Sequence, residues 1–114
     1  MRLIDIANSS PLGNGSICPP GSISDAELAN LASGYKRTVA SRYRALVEGE
    51  IPTLLPAGKL LVSPKVDGQL WFLVVDGSDV VLVSATGRAI SGDIPLLDEA
   101  AAMASRAQGR TVLA

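Results

Sequence analysis

The sequence predicts an α+β fold, a mainly antiparallel sheet with flanking helices. Three observations predict it. Element signals run in the order helix, strand, strand, strand, helix, strand. Asp76-Gly77-Ser78 joins two apolar runs through a tight turn, and a Ser24/Glu27 pair heads an apolar series with helical spacing. A hairpin between adjacent strands, with helices before and after the strand group, argues against a doubly wound parallel sheet.

Residues 1–23 are rich in Pro, Gly, Ser and Asn and read as an N-terminal arm or loop, with a short strand at Leu3–Ile6. Their glycines do not make a phosphate cradle, because no GK[ST] follows. A helix is predicted from Ser24. Ser24 and Glu27 fit a capping box, Asp25 suits the positive helix end, and Leu28, Leu31, Tyr35, Val39, Tyr43 and Leu46 recur on one face. Gly34 weakens its middle, and Gly49 and Pro52 end it. Residues 51–58 form a proline-punctuated connection. Strands are predicted at Lys59–Ser63, Gln69–Asp76 and Asp79–Ala85, where Val, Leu, Trp and Phe dominate. Trp71 and Phe72 fall on opposite faces, one in the core and one half-exposed. A helix then runs from about Ile94 or Leu97 to Ala107, with Pro95 near its start and Gly109 beyond its end. Thr111–Leu113 begins a last strand.

The 114 residues suit one domain, and about half are apolar, enough for a core. Lys and Arg number 10 against 11 Asp and Glu, so contact with nucleic acid or an anionic membrane must come from a local patch. Lys36, Arg37, Arg42 and Arg44 fall on the first predicted helix. Arg37 and Arg44, seven apart, share a face that reads either as a track for phosphates or as a solvated surface. There is no histidine and one cysteine, Cys18. Ser-His and Cys-His pairs, histidine-ligated metals, a structural zinc site and an intrachain disulfide are therefore excluded. Chemistry must run on lysine, carboxylates, hydroxyls, backbone amides and an oxygen-liganded cation such as Mg²⁺. The N-terminus lacks the basic start and long apolar run of a signal peptide, and Leu70–Val83 is too interrupted to span a bilayer, so a cytoplasmic protein without a membrane role is expected.

Lys65-Val66-Asp67-Gly68 stands between two predicted strands. A lysine at a strand end, partly walled by apolar groups, can lose its proton through desolvation and act as a nucleophile. The same tetrapeptide also describes a lysine and an aspartate flanking a surface β-turn.

In context, the run Leu60-Leu61-Val62-Ser63-Pro64-Lys65-Val66-Asp67-Gly68-Gln69-Leu70-Trp71-Phe72 resembles the first motif of the covalent nucleotidyltransferases, which include the ATP-dependent DNA ligases, RNA ligases and mRNA capping enzymes. In that family the strand leaving K-x-D-G turns back to a segment of the form S-R-x-G. Ser84-Ala85-Thr86-Gly87-Arg88 stands at that point, and Asp93-Ile94-Pro95-Leu96-Leu97 resembles the family's following segment. The resemblance covers roughly residues 57–114.

It implies that residues 24–114 are the N-terminal portion of an ATP-grasp-like adenylation domain using ATP and Mg²⁺. Lys65 would attack the α-phosphorus of ATP to give lysyl–AMP, and the AMP would pass to a nucleic-acid 5′-phosphate. Asp67 and Gly68 would shape the loop presenting the lysine. Val62, Ser63 and Pro64 would lie near the adenine, and Arg88 would stand in for the arginine of S-R-x-G. The chain departs from the DNA-ligase pattern at Ser63, Leu70 and Ala85, which leaves room for an RNA ligase or another ligase-like enzyme. The family's later motifs are absent, so a missing C-terminal portion or a partner chain is expected for efficient activity. The competing expectation is a non-catalytic α+β interaction module in which K-x-D-G is only a turn.

Overall fold

The computed structural model describes residues 3–64, 68–106 and 109–114. The elements are β1 (Ser10–Leu12), β2 (Asn14–Cys18), α1 (Ala26–Thr38), α2 (Ile51–Leu54), β3 (Trp71–Asp76), β4 (Asp79–Ser84), β5 (Ala89–Asp93), α3 (Pro95–Met103) and β6 (Arg110–Leu113). The strands make one six-stranded sheet in the order β1-β2-β5-β4-β3-β6, with every neighbouring pair antiparallel. The fold is therefore α+β with an antiparallel sheet.

The hairpin forms where Asp76-Gly77-Ser78 predicts it: Asp76 pairs with Asp79, and Gly77 takes φ 62°, a left-handed conformation that glycine adopts without strain. Alternation along β3 then sets the two faces. Phe72 and Val74 point to a core shared with Val81, Val83, Ala89, Cys18, Leu3, Ile4 and the α1 residues Leu28 and Ala32. Trp71 and Leu73 point to the other face, where α3 packs through Leu97 and Ala100. Phe72 is thus the core aromatic and Trp71 the half-exposed one.

Four local expectations are corrected. The stretch read as an arm carries the β1–β2 hairpin, and all five residues of β2 pair with β5. The first helix stops at Thr38 instead of running on past Leu46. Thr38 and Val39 are β-branched, and the hydroxyls of Thr38 and Ser41 donate to the carbonyls of Gly34 and Arg37, a local alternative that weakens helix continuation. The next turn is poorly covered: Tyr43 is 74 % exposed and Leu46 only half-buried. No strand forms at Lys59–Ser63: these residues are exposed and pair with no strand, and β3 has β4 and β6 as its neighbours. Ala89–Asp93, which carries no strand signal, is a strand. Among the described residues no helix is long and apolar enough to cross a membrane.

Asp25, not Ser24, caps α1: the Leu28 amide donates to its Oδ1 at 2.9 Å. The same carboxylate accepts from Arg110 Nη1 at 3.1 Å and Nη2 at 2.7 Å, while Arg110 Nε donates to Asp76 Oδ2 at 3.0 Å. One guanidinium therefore ties the head of α1 to β6 and to the end of β3. Its hydrogen bonds, and then that of the Leu28 amide, hold Asp25 at about 2 against an ordinary 3.8. Because the folded value lies below the unfolded one, the stabilisation is complete above the unfolded carboxyl range and is lost as pH falls through about 2. Arg110→Met should lower the urea midpoint near neutrality. It should also flatten the fall in midpoint between about pH 5 and about pH 2. An unchanged acid limb in the variant would show that the cluster does not carry this stability.

Candidate active site

The β3–β4 register pairs Trp71 with Ser84, so the segment leaving Gly68 and the turn after Ser84 lie at one end of the sheet. That turn is held from within. The Ser84 amide donates to the Arg88 carbonyl at 2.9 Å, the Arg88 amide to Ser84 Oγ at 3.1 Å, and the Gly87 amide to the Ser84 carbonyl at 3.0 Å. The hydroxyls of Ser84 and Thr86 are 3.1 Å apart. It is also held from outside, since the Gly21 and Ser22 amides donate to the carbonyls of Thr86 and Gly87 at 3.1 and 2.9 Å. A turn fixed at so many points positions its side chains closely.

Arg88 uses that position to lie over the indole of Trp71, 5.7 Å from the ring centroid, within cation–π range. The Trp71 Nε1–H donates to Gln69 Oε1 at 3.3 Å. Gln69, Trp71, Ser84, Ala85, Thr86 and Arg88 line a cleft of about 260 Å³. Gln69 and Trp71 also border an apolar hollow of about 520 Å³ beside Leu73 and Leu82. An aromatic face beside a guanidinium, a hydroxyl and an amide suits a planar heterocycle bearing an anionic group.

Of the residues singled out in the sequence, Arg88 lines this cleft. Gly68 lies one residue before Gln69 and is exposed. Val62, Ser63 and Pro64 are exposed, stand in no regular element and do not line the cleft, with Val62 at 92 %. Lys65 and Asp67 lie outside the described residues. Gln69, Trp71 and Thr86, which belong to the two motif-like segments but are given no site role by the resemblance, also line the cleft. The sequence signal for Trp71 is its place immediately downstream of the motif, on the strand face opposite Phe72.

The basic helix face is corrected. Lys36 and Arg37 are exposed on the last turn of α1, but Arg44 lies beyond its end and pairs with Glu50 at 3.0 Å. The three do not share one helical surface. Among the described residues no three His, Cys, Asp or Glu side chains converge as cation ligands. Cys18 is buried, and burial, with a smaller push from Asp5, raises its thiol and disfavours the thiolate. No protein-family model, curated protein or solved structure matches the chain.

Proposed function

We propose that this chain is the lysine-bearing part of an ATP-dependent, nucleic-acid-ligase-like nucleotidyltransferase. The Lys65 amine, unprotonated, attacks the α-phosphorus of ATP. A nitrogen–phosphorus bond forms, the bond from that phosphorus to the bridging oxygen breaks, pyrophosphate leaves, and the amine proton passes to solvent. AMP then passes to a nucleic-acid 5′-phosphate. The observation supporting this reading is the cleft lined by Arg88 and Trp71, at the sheet end that the chain from Gly68 enters. A guanidinium there would meet the charge of a phosphate as it is attacked, and the indole offers a face for stacking.

The test is labelling. With α-labelled ATP and Mg²⁺, the protein should retain label through denaturing electrophoresis. A phosphoramidate should survive alkali and be released by acid. Lys65→Ala should abolish the label, and Arg88→Ala should reduce its rate of formation by about tenfold or more, the size expected when a charged hydrogen bond is lost. A well-folded protein that takes no label would sink the proposal in favour of an interaction module.

A further inference from the structure

Leu60, Leu61 and Val62 present three successive apolar side chains to water, with exposures of 48, 105 and 92 %. On the sheet face that carries Trp71, α3 leaves one end open, where Trp71, Leu73, Leu82, Ile90, Leu96 and Leu113 line the hollow of about 520 Å³. Contiguous apolar surface of this kind marks a place where something docks. The segment and the hollow also match in charge. Lys59, just before the triplet, is exposed and has no ion-pair partner among the described residues. Two residues past the hollow's Leu96 on α3, the exposed Asp98 neighbours Asp93; desolvation, and then that carboxylate, raises its proton affinity, and no described cation pairs with either.

The tether is adequate. Val62 precedes Trp71 by nine residues, a reach of up to roughly 30 Å at ~3.3 Å per residue. The hollow spans β5 to β6, three strand spacings or about 14 Å. A segment so tethered meets the hollow at an effective concentration on the order of millimolar, far above that of a second molecule in dilute solution.

We propose that Leu60, Leu61 and Val62 fold back onto the Trp71 face as an intramolecular strap, with Lys59 set against the neighbouring Asp93–Asp98 pair. Closure covers the hollow and brings the chain just before Lys65 to the end of the sheet that holds the Arg88 cleft. The consequence for Lys65 rests on the nucleotidyl-transfer reading; the docking does not.

Disulfide trapping without nucleotide tests it. Leu61 and Leu113 are both exposed, so L61C/L113C should leave the fold intact, and Cys18 stays buried. Under mild oxidation the double variant should form an intramolecular disulfide, running as a faster-migrating monomer lighter by two hydrogens. Each single variant should keep its thiols. The bond should form equally in a Lys65→Ala background and be lost when L60D/V62D is added. Absence of the bond in the folded double variant, a bond indifferent to L60D/V62D, or disulfide-linked dimers would each overturn the strap. Should the double variant fail to fold, L60D/V62D alone decides through Trp71, the only tryptophan. Docking shields the indole, so the variant should red-shift its emission, and unchanged emission overturns the proposal. Trapping that succeeds while ATP labelling fails would separate the strap from the enzymatic reading.

Discussion

Phe72→Ala should remove about 3–5 kcal/mol of stability, the cost of deleting a buried phenyl ring and leaving its cavity. Phe72 is 1 % exposed, pairs with Val83 across the β3–β4 ladder, and meets Tyr35 edge-on with ring centroids 5.2 Å apart at 74°. It therefore joins the sheet core to α1, and its loss undermines both contacts together. Domains of this size hold about 5–15 kcal/mol in total, so the variant should be marginal at room temperature. Trp71→Ala, one residue away on the half-exposed face, should lose only about 1–2 kcal/mol, because less apolar area leaves water there. Urea unfolding of the pair gives the comparison. A Phe72→Ala loss no larger than that of Trp71→Ala would mean that the core does not lie on the α1 side of the sheet.

That contrast also shows what the sequence makes legible. The apolar, β-favouring runs of β3 and β4 and the Asp76-Gly77-Ser78 turn are local signals, and they give the hairpin and its register, while strand geometry alone puts Trp71 and Phe72 on opposite faces. Pro95 opens α3 for the same local reason. Elements that depend on partners are not legible. β2 (NGSIC) and β5 (AISGD) each hold a single β-branched residue, and their extended form comes from pairing with each other. Lys59–Ser63 is the opposite case, with strand-like residues that pair with no strand, so propensity without a partner leaves them in no regular element. Helical spacing runs on through Tyr43 and Leu46, yet Tyr43 stays exposed and Leu46 only half-buried, and apolar spacing alone does not hold a helix.

The site divides along the same line. Ser84–Arg88 is visible in the sequence as the motif-like segment at the end of a strand predicted to Ala85. That Arg88 lies over Trp71 follows from strand register and from the anchoring of the turn by Gly21 and Ser22, which sit more than sixty positions earlier. No short window of sequence contains both. The aromatic wall of the cleft therefore emerges only with the fold, while the lysine motif is visible as a pattern.

Gly87→Ala should bring stability and site together in one measurement. Gly87 takes φ +85°, and a Cβ built there would stand 2.8 Å from the Gly21 nitrogen and 3.1 Å from its Cα. Those are backbone atoms, and the Gly21 and Ser22 amides are committed to the carbonyls of Thr86 and Gly87, so the neighbour cannot yield without breaking the ties that fix the turn. Left-handed strain and the clash together should cost about 2–4 kcal/mol. Gly77→Ala separates the two contributions. Gly77 is also left-handed, at φ +62°, but nothing lies within 4 Å of its added Cβ, so it should lose only about 1–2 kcal/mol. The functional readouts should part further. In the Gly87 variant Arg88 is displaced from the Trp71 face, so tryptophan emission should shift and any lysyl–AMP label should fall with it, even where the protein remains folded. In the Gly77 variant, at the far end of the β3–β4 hairpin, emission and label should stay at wild-type levels. Equal losses in the two variants would mean that the close approach of Gly87 to Gly21 does not position Arg88.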